Sequence, residues 1–440
     1  MPFFVSEGSF LNKPKVIFVL PAPPLPLDQG YRHVAYNDLV QLSKWRDVYV
    51  VMCNGNAVWD FAPDEEGETI KTLQSLPGIS GVTVFRWELL VGKPRMLWQM
   101  LRRLSLGGPV VAANGSANLA QMVDAIARKI QTQEIHFAMT SMLLVDASDR
   151  LRKMGNYKIS FTAQNIEAYE MKVAADQARQ NGRPFRWLWV LLYFRFIYKN
   201  ELNACTRSRF VLTMAFRDHV FLTEQKVNSI YLPPYLHSVT QEHKPNHGAS
   251  TVTLLGHLAF SATGGGVEKF VNIVVPKVKK ELPHVRFRIV GKDVSSVVRD
   301  QCNRFDIEYS EYVEDINKVW AQTSILAAPL LIDKGIRIRI LEALYKRVPV
   351  VTTVQASTGF IHAEDCLCIA KNFNEFSDQC IRLLSDPAEY NAQQEKIDKY
   401  FEKYLSSDAI EKKWKEIWGA ENFSDANPEG SMSSNKLSNR

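Results

Sequence analysis

Short apolar runs rich in β-branched residues recur along the chain, each bounded by polar, Gly or Pro positions. In the first half they are "KVIFVL" (15–20), "DVYVVMC" (47–53), "GVTVFRW" (81–87), "EIHFAM" (134–139), "YKISFTA" (157–163), "RFVLTM" (209–214) and "SIYLP" (229–233). Runs this short, with little alternation, fit strands buried on both faces. Helical or mixed stretches lie between most of them, so consecutive strands are expected to pair in parallel in a doubly wound sheet. "LPPYLHSVTQEHKPNHGAS" (232–250) breaks the pattern with Pro, His and polar residues and reads as a linker. The alternation then restarts: "TVTLLG", a helix over 265–281, "HVRFRIVG", a helix over 293–303, "IEYSEYV", a helix over 314–322, "SILAAPL", "VPVVTT" and "CLCIA".

The predicted organisation is α/β: a Rossmann-like domain over 1–235, a second over 236–418 that ends in helices, and a polar, disordered tail over 419–440. Ligands of such sheets bind outside the carboxyl ends of the strands, so two domains facing each other place a site in the cleft between them. Neither domain carries GxGxxG or a Walker motif, which argues against a dinucleotide dehydrogenase or a P-loop NTPase.

Composition narrows this little. The 440 residues are 46% hydrophobic, 23% charged and 11% aromatic, with net charge +6 and a pI near 8.8. That mild, dispersed excess suits anionic ligands or an anionic membrane surface, not nucleic acid. Six cysteines without a CxxC pair are expected to be buried free thiols in a reducing compartment, with Cys366 and Cys368 on one side of a strand. The apolar core of the N-terminus is too short for a signal peptide, and no run of about 18 apolar residues occurs, so a cytoplasmic protein is expected.

The stretch "DKGIRIRILEALYKRVPVVTT" (333–353) carries the most chemistry. It reads as a loop, a helix and a strand. Gly335 sits where the loop must turn, and the helix start offers unpaired N–H groups and a positive dipole end. Such a terminus binds phosphate, and Arg337 and Arg339 add forked donors for its oxygens. Glu342, three residues after Arg339, shares its helix face and suits ribose hydroxyls rather than phosphate. Gly256 before "HLAFSATGGGVEKF", Lys292 in "FRIVGKD" and the turn 311–315 follow other strands of the same domain. Together they form a cradle for a diphosphate without metal.

The order "GHLAFSATGGGVEKFVNIVVPKVKKELPHVRFRIVGKD" then "YSEYVEDINKVWAQTSILAAPLLIDKGIRIRILEALYKRVPVVTT" resembles the C-terminal domain of retaining GT-B glycosyltransferases of family four, over about 110 residues. The N-terminal half is similar more weakly, through "VLPAPPLPLDQGYRHVAYNDLVQLSK", "SFTAQNIEAYE" and "SRFVLTMAFRDHVFL". The resemblance implies GT-B architecture, two Rossmann-like domains facing across a cleft. It also implies sugar transfer from a nucleotide sugar to a glycan or lipid-linked acceptor, with retention and without metal or cofactor. Carried over, Glu342 takes the ribose, Arg339 the diphosphate and Val313 the base through its backbone, while Gly256 and Gly30 close on the phosphates from the two domains. The sequence departs from the family at Lys334, where the first glutamate of a Glu-x7-Glu motif belongs, at Arg339 for lysine, at Glu311 for glycine, and at Asp28-Gln29-Gly30 for Gly-Gly.

For the catalytic side, His33, His136, Asn165 and Glu167 fall near the inferred cleft edge. "RPFRWLWVLLYFRFIYKN" (183–200) and "KPRMLWQMLRRLSL" (93–106) mix Arg, Lys and Trp in the manner of a membrane-interface segment. Such segments suit either a peripheral position on the inner face of a membrane or a buried helix with snorkelling arginines. Two rivals stay open: a nucleotide-sugar epimerase of the same fold, and a non-catalytic binding or scaffold protein.

Overall fold

The computed structural model describes residues 13–27, 30–54, 63–86, 113–166, 198–236, 250–259, 263–333 and 335–419. Two parallel sheets form. The first has order β3-β2-β1-β4-β5-β6-β7, from β1 (Lys15–Leu20), β2 (Asp47–Asn54), β3 (Ile79–Arg86), β4 (Glu134–Phe137), β5 (Lys158–Ala163), β6 (Val211–Thr213) and β7 (Ser229–Tyr231). The second has order β10-β9-β8-β11-β12-β13, from β8 (Thr251–Leu255), β9 (Arg286–Val290), β10 (Ile307–Ser310), β11 (Ile325–Ala328), β12 (Val350–Thr353) and β13 (Cys368–Ala370). Every strand expected in the described residues is present; the central ones, β1, β8, β11 and β12, are almost wholly buried, as strands covered on both faces must be.

Among the described residues the first domain has α1 (Gly30–Trp45), α2 (Pro63–Gln74), α3 (Ala113–Ile130), α4 (Met142–Met154) and α5 (Phe216–Glu224), with 198–206 also helical. The second domain begins with α6 (Gly266–Lys269), which runs through a π turn, Phe270–Val274, into α7 (Val275–Glu281). Then come α8 (Ser296–Arg304), α9 (Ile316–Ala321), α10 (Ile338–Tyr345), α11 (Val354–Ser357), α12 (Phe373–Ser385), α13 (Pro387–Tyr404) and α14 (Ser407–Trp418). Side chains of one strand alternate between two cores: Ile17 and Val19 of β1 pack with α3 and α4, while Val16, Phe18 and Leu20 pack under α1. The second sheet does the same, with Val351 of β12 on the α12 face and Val350 on the α10 face.

Two expectations are corrected here. α14 belongs by packing to the first domain: Ile410, Trp414, Ile417 and Trp418 are buried against Val16, Phe18, Leu42 and Val50. The chain therefore crosses between domains twice, and 236–418 is not one unit. Cys366 and Cys368 do not share a face. β13 starts only at Cys368, Cys366 sits just before it, and the two thiols enter opposite cores. All six cysteines are buried and free.

Candidate functional site

In each sheet the strand order reverses beside its first strand, between β1 and β4 and between β8 and β11. Crevices of this kind, outside the carboxyl ends, are where open α/β sheets bind ligands. The loop after β1 leads into α1 at Gly30, and the loop after β11 leads into α10 at Ile338. The two helix starts meet: a Cβ built on Gly30 would stand 3.5 Å from Ile338 Cγ1. Neither helix has an acidic residue in its first turn. Two positive dipole ends thus share one spot without a local counter-charge from their own first turns.

The second domain supplies the walls. Gly256 follows β8 and Gly291 follows β9, so closely that a Cβ on Gly291 would stand 1.8 Å from the Gly256 carbonyl oxygen. The backbone is zipped there by Gly256 N–H to Val290 O (3.0 Å) and Gly291 N–H to Ser310 O (2.9 Å). The Arg339 stem lies over this platform, its Cγ 3.5 Å from the Cβ position of Gly256. Its guanidinium is half-exposed and donates to Glu342, Nη1 to Oε2 at 2.5 Å, while the Glu342 side chain is only 10% exposed. Lys292 is exposed beside Gly291. His257 and Asp293 bridge the ends of β8 and β9, Nε2 to Oδ2 at 2.7 Å.

Helix spacing fixes what Glu342 looks at. Lys346, one turn further along the same face, donates to Asn317 Oδ1 of α9 at 3.2 Å. That face of α10 is therefore turned toward α9 and the turn 311–315 before it. Val313 packs beside the core under α10 and lines an open cavity of about 280 Å³ with Ser310, Asp315 and Lys318. Contacts thus link Gly30 to Ile338, Gly256 to Arg339 and Arg339 to Glu342, while Val313 lines the cavity beside α9 and Lys292 is exposed.

The other expected residues fare differently. Arg337 Nη2 donates to Ile332 O at 2.6 Å and staples its own loop. Gly335, at φ +48°, is a turn glycine that abuts the first domain, its Cβ position 3.4 Å from Gln164 O and 3.8 Å from Asn165 Cβ. Asn165 therefore sits on the cleft, and His33 is half-buried in the first turns of α1. His136 is corrected outright. It is fully buried in β4, its Nδ1 2.9 Å from Ser160 Oγ and its Nε2 2.9 Å from Thr162 Oγ1, with Trp418 edge-on at 5.5 Å. Burial lowers its pKa to about 3. It is a neutral core residue that no substrate reaches. Thr162 Oγ1 also donates to Asp38 Oδ2 at 3.1 Å, and burial raises the Asp38 pKa to about 7. Glu167, Lys334, the segment 93–106 and all but the last residues of 183–200 lie outside the described residues.

A cluster between the domains was not read from the sequence. Arg217, at the start of α5, reaches across to Asp333, which opens the loop into α10. The backbone N–H groups of Phe216 and Arg217 donate to Gly359 O (2.9 Å) and Thr358 O (3.1 Å) of the second domain. The only local hint is the charged pair Arg217-Asp218 at a helix start.

Among the described residues, no group of three or more His, Cys, Asp or Glu side chains is arranged to hold a metal ion, and no helix is long and apolar enough to cross a membrane.

Known proteins agree with this architecture. Residues 249–386 match the family model described as "Glycosyl transferases group 1". No curated protein matches the chain by sequence. Among solved structures, sucrose-phosphate synthase from Thermosynechococcus elongatus superposes with a TM-score of 0.62 at 12% identity, over 92% of this chain and 98% of that one. Anabaena Alr3699/HepE in complex with UDP and glucose gives a TM-score of 0.58 at 12% identity, over 92% and 99%. WaaG, described as a glycosyltransferase involved in lipopolysaccharide biosynthesis, gives 0.57 at 13% identity, over 92% and 100%. The fold is that of the GT-B glycosyltransferases.

Proposed function

We propose that this protein is a glycosyltransferase that moves a sugar from a nucleoside-diphosphate donor to a glycan or lipid-linked acceptor, with retention and without a metal ion. The observation that carries this reading is the meeting of the α1 and α10 N-termini, with Arg339 in the first turn of α10 and Glu342 one turn inside it. In the proposed reaction the bond from the anomeric carbon to the diphosphate breaks, an acceptor hydroxyl oxygen takes the carbon on the same face, and its proton passes to the leaving diphosphate oxygen. Charge then develops on the leaving diphosphate. Two helix ends, Arg339 and Lys292 are the groups assigned in this reading to stabilise that charge electrostatically. Glu342 holds the ribose and the Val313 backbone the base. Lys334 in place of the family's first glutamate leaves sugar-ring recognition to other groups.

The match over 249–386 supports a nucleotide-sugar reading, since that segment contains Gly256, Lys292 and the whole of α10. The neighbour solved with UDP and glucose supports UDP as the first nucleotide to try. The test is a melting-temperature panel with UDP, GDP, ADP and their sugars. A ligand at 100-fold its Kd adds about 2.7 kcal/mol of stability. No shift with any nucleotide refutes the reading and favours a scaffold; epimer released without acceptor favours the epimerase. Turnover with excess EDTA equal to that without it supports metal independence, and loss restored by magnesium or manganese rejects it.

The basic aromatic segments 93–106 and 183–200 support an acceptor presented at an anionic membrane surface. Co-sedimentation with acidic liposomes at low salt tests this: the wild type should pellet, the Arg183→Glu/Arg186→Glu variant should not, and a wild type that stays in the supernatant ends the membrane reading.

A further inference from the structure

The loop that opens α10 is held from the opposite domain. Arg217 Nη1 donates both to the Asp333 carbonyl (2.6 Å) and to its carboxylate Oδ1 (2.6 Å). Thr358 Oγ1 donates to the same Oδ1 at 2.5 Å. The other edge of the guanidinium is fixed on Asp218 Oδ1, from Nε at 3.1 Å and Nη2 at 2.7 Å, so Arg217 is aimed before it meets Asp333. Its side chain is 15% exposed and that of Asp333 25%, so solvent screens the pair only in part. Two residues past Asp333, Gly335 rests on Gln164 and Asn165 of the first domain, and a Cβ on Gly359 would stand 3.0 Å from the Gly335 carbonyl oxygen.

We propose that Arg217 is a positioning residue that couples closure of the two domains to the shape of the diphosphate-binding loop. The inference rests on the nucleotide reading above and deepens it. Arg217 stands in the acceptor-side domain, yet its bonds end on the residue that leads into the phosphate helix. When the domains separate, Arg217 leaves Asp333, and the turn at Gly335 loses its seat on residues 164–165. The backbone N–H groups at the start of α10 are then no longer held in one arrangement. The closed form alone presents the complete cradle, so apparent nucleotide affinity scales with the fraction of molecules that are closed. By reciprocity, a bound diphosphate stabilises the latch.

The test is calorimetry of the full-length chain with UDP, on the wild type, Arg217→Ala, Asp333→Ala and the double variant, each first checked for native circular dichroism. Each single change should weaken UDP binding about tenfold, and the double variant should be no weaker than the singles, because the two residues act through one contact. Arg217→Lys, which keeps the charge but not the fork, should recover part of the loss. UDP affinity unchanged in Arg217→Ala overturns the inference, as does a double variant whose loss is the product of the two single losses. The Asp333→Ala variant keeps the test open if Arg217→Ala fails to fold. Should the wild type bind neither UDP, GDP nor ADP, the nucleotide reading itself fails and the latch falls with it.

Discussion

Replacing Glu342 by alanine separates binding from stability, because the structure assigns different magnitudes to the two. In the unliganded protein Glu342 holds Arg339 by one half-exposed ion pair at i,i+3 spacing. Such pairs contribute about 0.2–0.5 kcal/mol to a helix, so the melting temperature of Glu342→Ala should fall by no more than a few degrees. A ribose hydroxyl bonded to a nearly buried carboxylate is worth more, about 1.5–3 kcal/mol, or roughly tenfold to a hundredfold in Kd. One effect runs against this: without Glu342, Arg339 is free to turn wholly to the diphosphate, which places the net loss nearer tenfold. Calorimetry with UDP measures it, and Glu342→Gln, which keeps the shape and an acceptor oxygen, should fall between. The decisive comparison is UDP against 2′-deoxy-UDP. The wild type should prefer UDP, and Glu342→Ala should distinguish the two far less. A variant that binds UDP as the wild type does, or keeps the full preference, refutes the ribose assignment. A variant that loses binding and also melts far lower shows that Glu342 is structural.

The buried chain Asp38–Thr162–His136 makes stability depend on pH in two opposing ways. The folded pKa of Asp38, about 7, lies above its unfolded value of 3.8, so Asp38 lowers stability as pH rises from about 4 to 7. That of His136, about 3, lies below its unfolded 6.5, so it lowers stability as pH falls from about 6.5 to 3. Each slope approaches ~1.4 kcal/mol per pH unit, and they offset between about pH 4 and 6.5. Asp38→Asn should remove one slope: it should be more stable than wild type at pH 8 and lose stability more steeply on acidification, as urea melts at several pH values would record. Parallel curves for the two proteins would sink this account. Trp418→Ala should cost about 3–5 kcal/mol in urea unfolding, since the ring is 1% exposed and packs on His136 and Phe210; a cost under about 1 kcal/mol would show that α14 is not part of the first domain's core.

The strands were legible because a parallel strand covered on both faces has no polar positions to hide it. The loop–helix junction at α10 stood out because glycine, paired cations and a lone carboxylate are local features. His136 misled because a histidine among apolar residues reads as chemistry when its partners are out of view. Yet those partners, Ser160 and Thr162, stand two apart in "SFT" on the neighbouring strand, on the one face that His136 can meet. The contacts of Arg217 and α14 were not legible for a different reason. Arg217 and Asp333 are 116 positions apart and belong to different domains, and nothing local marks one as the other's partner. The apolar face of α14 announces burial but not against which sheet.

These two unread features bear on one motion. The chain passes between domains between Leu232, packed in the first domain's core, and Leu236, packed in the second's, and again between α13 and α14, where Leu405 N–H still bonds to Phe401 O and Ser406 caps the next helix. Two bodies joined at two points keep one easy freedom, rotation about the line through both. Trp418 and Ile410 fasten the second crossing to the first domain's core, and the Lys44–Glu411 pair (2.8 Å) ties it to α1, the helix whose start faces α10. Rotation about that line is the movement that would part Gly30 from Ile338 and Arg217 from Asp333. A domain pair joined through an apolar helix and held by the Arg217 guanidinium beside two backbone hydrogen bonds divides the work physically. Apolar packing fixes the axis at every pH and salt concentration. The charged contact, weaker and partly screened, is the one a bound diphosphate is able to tip.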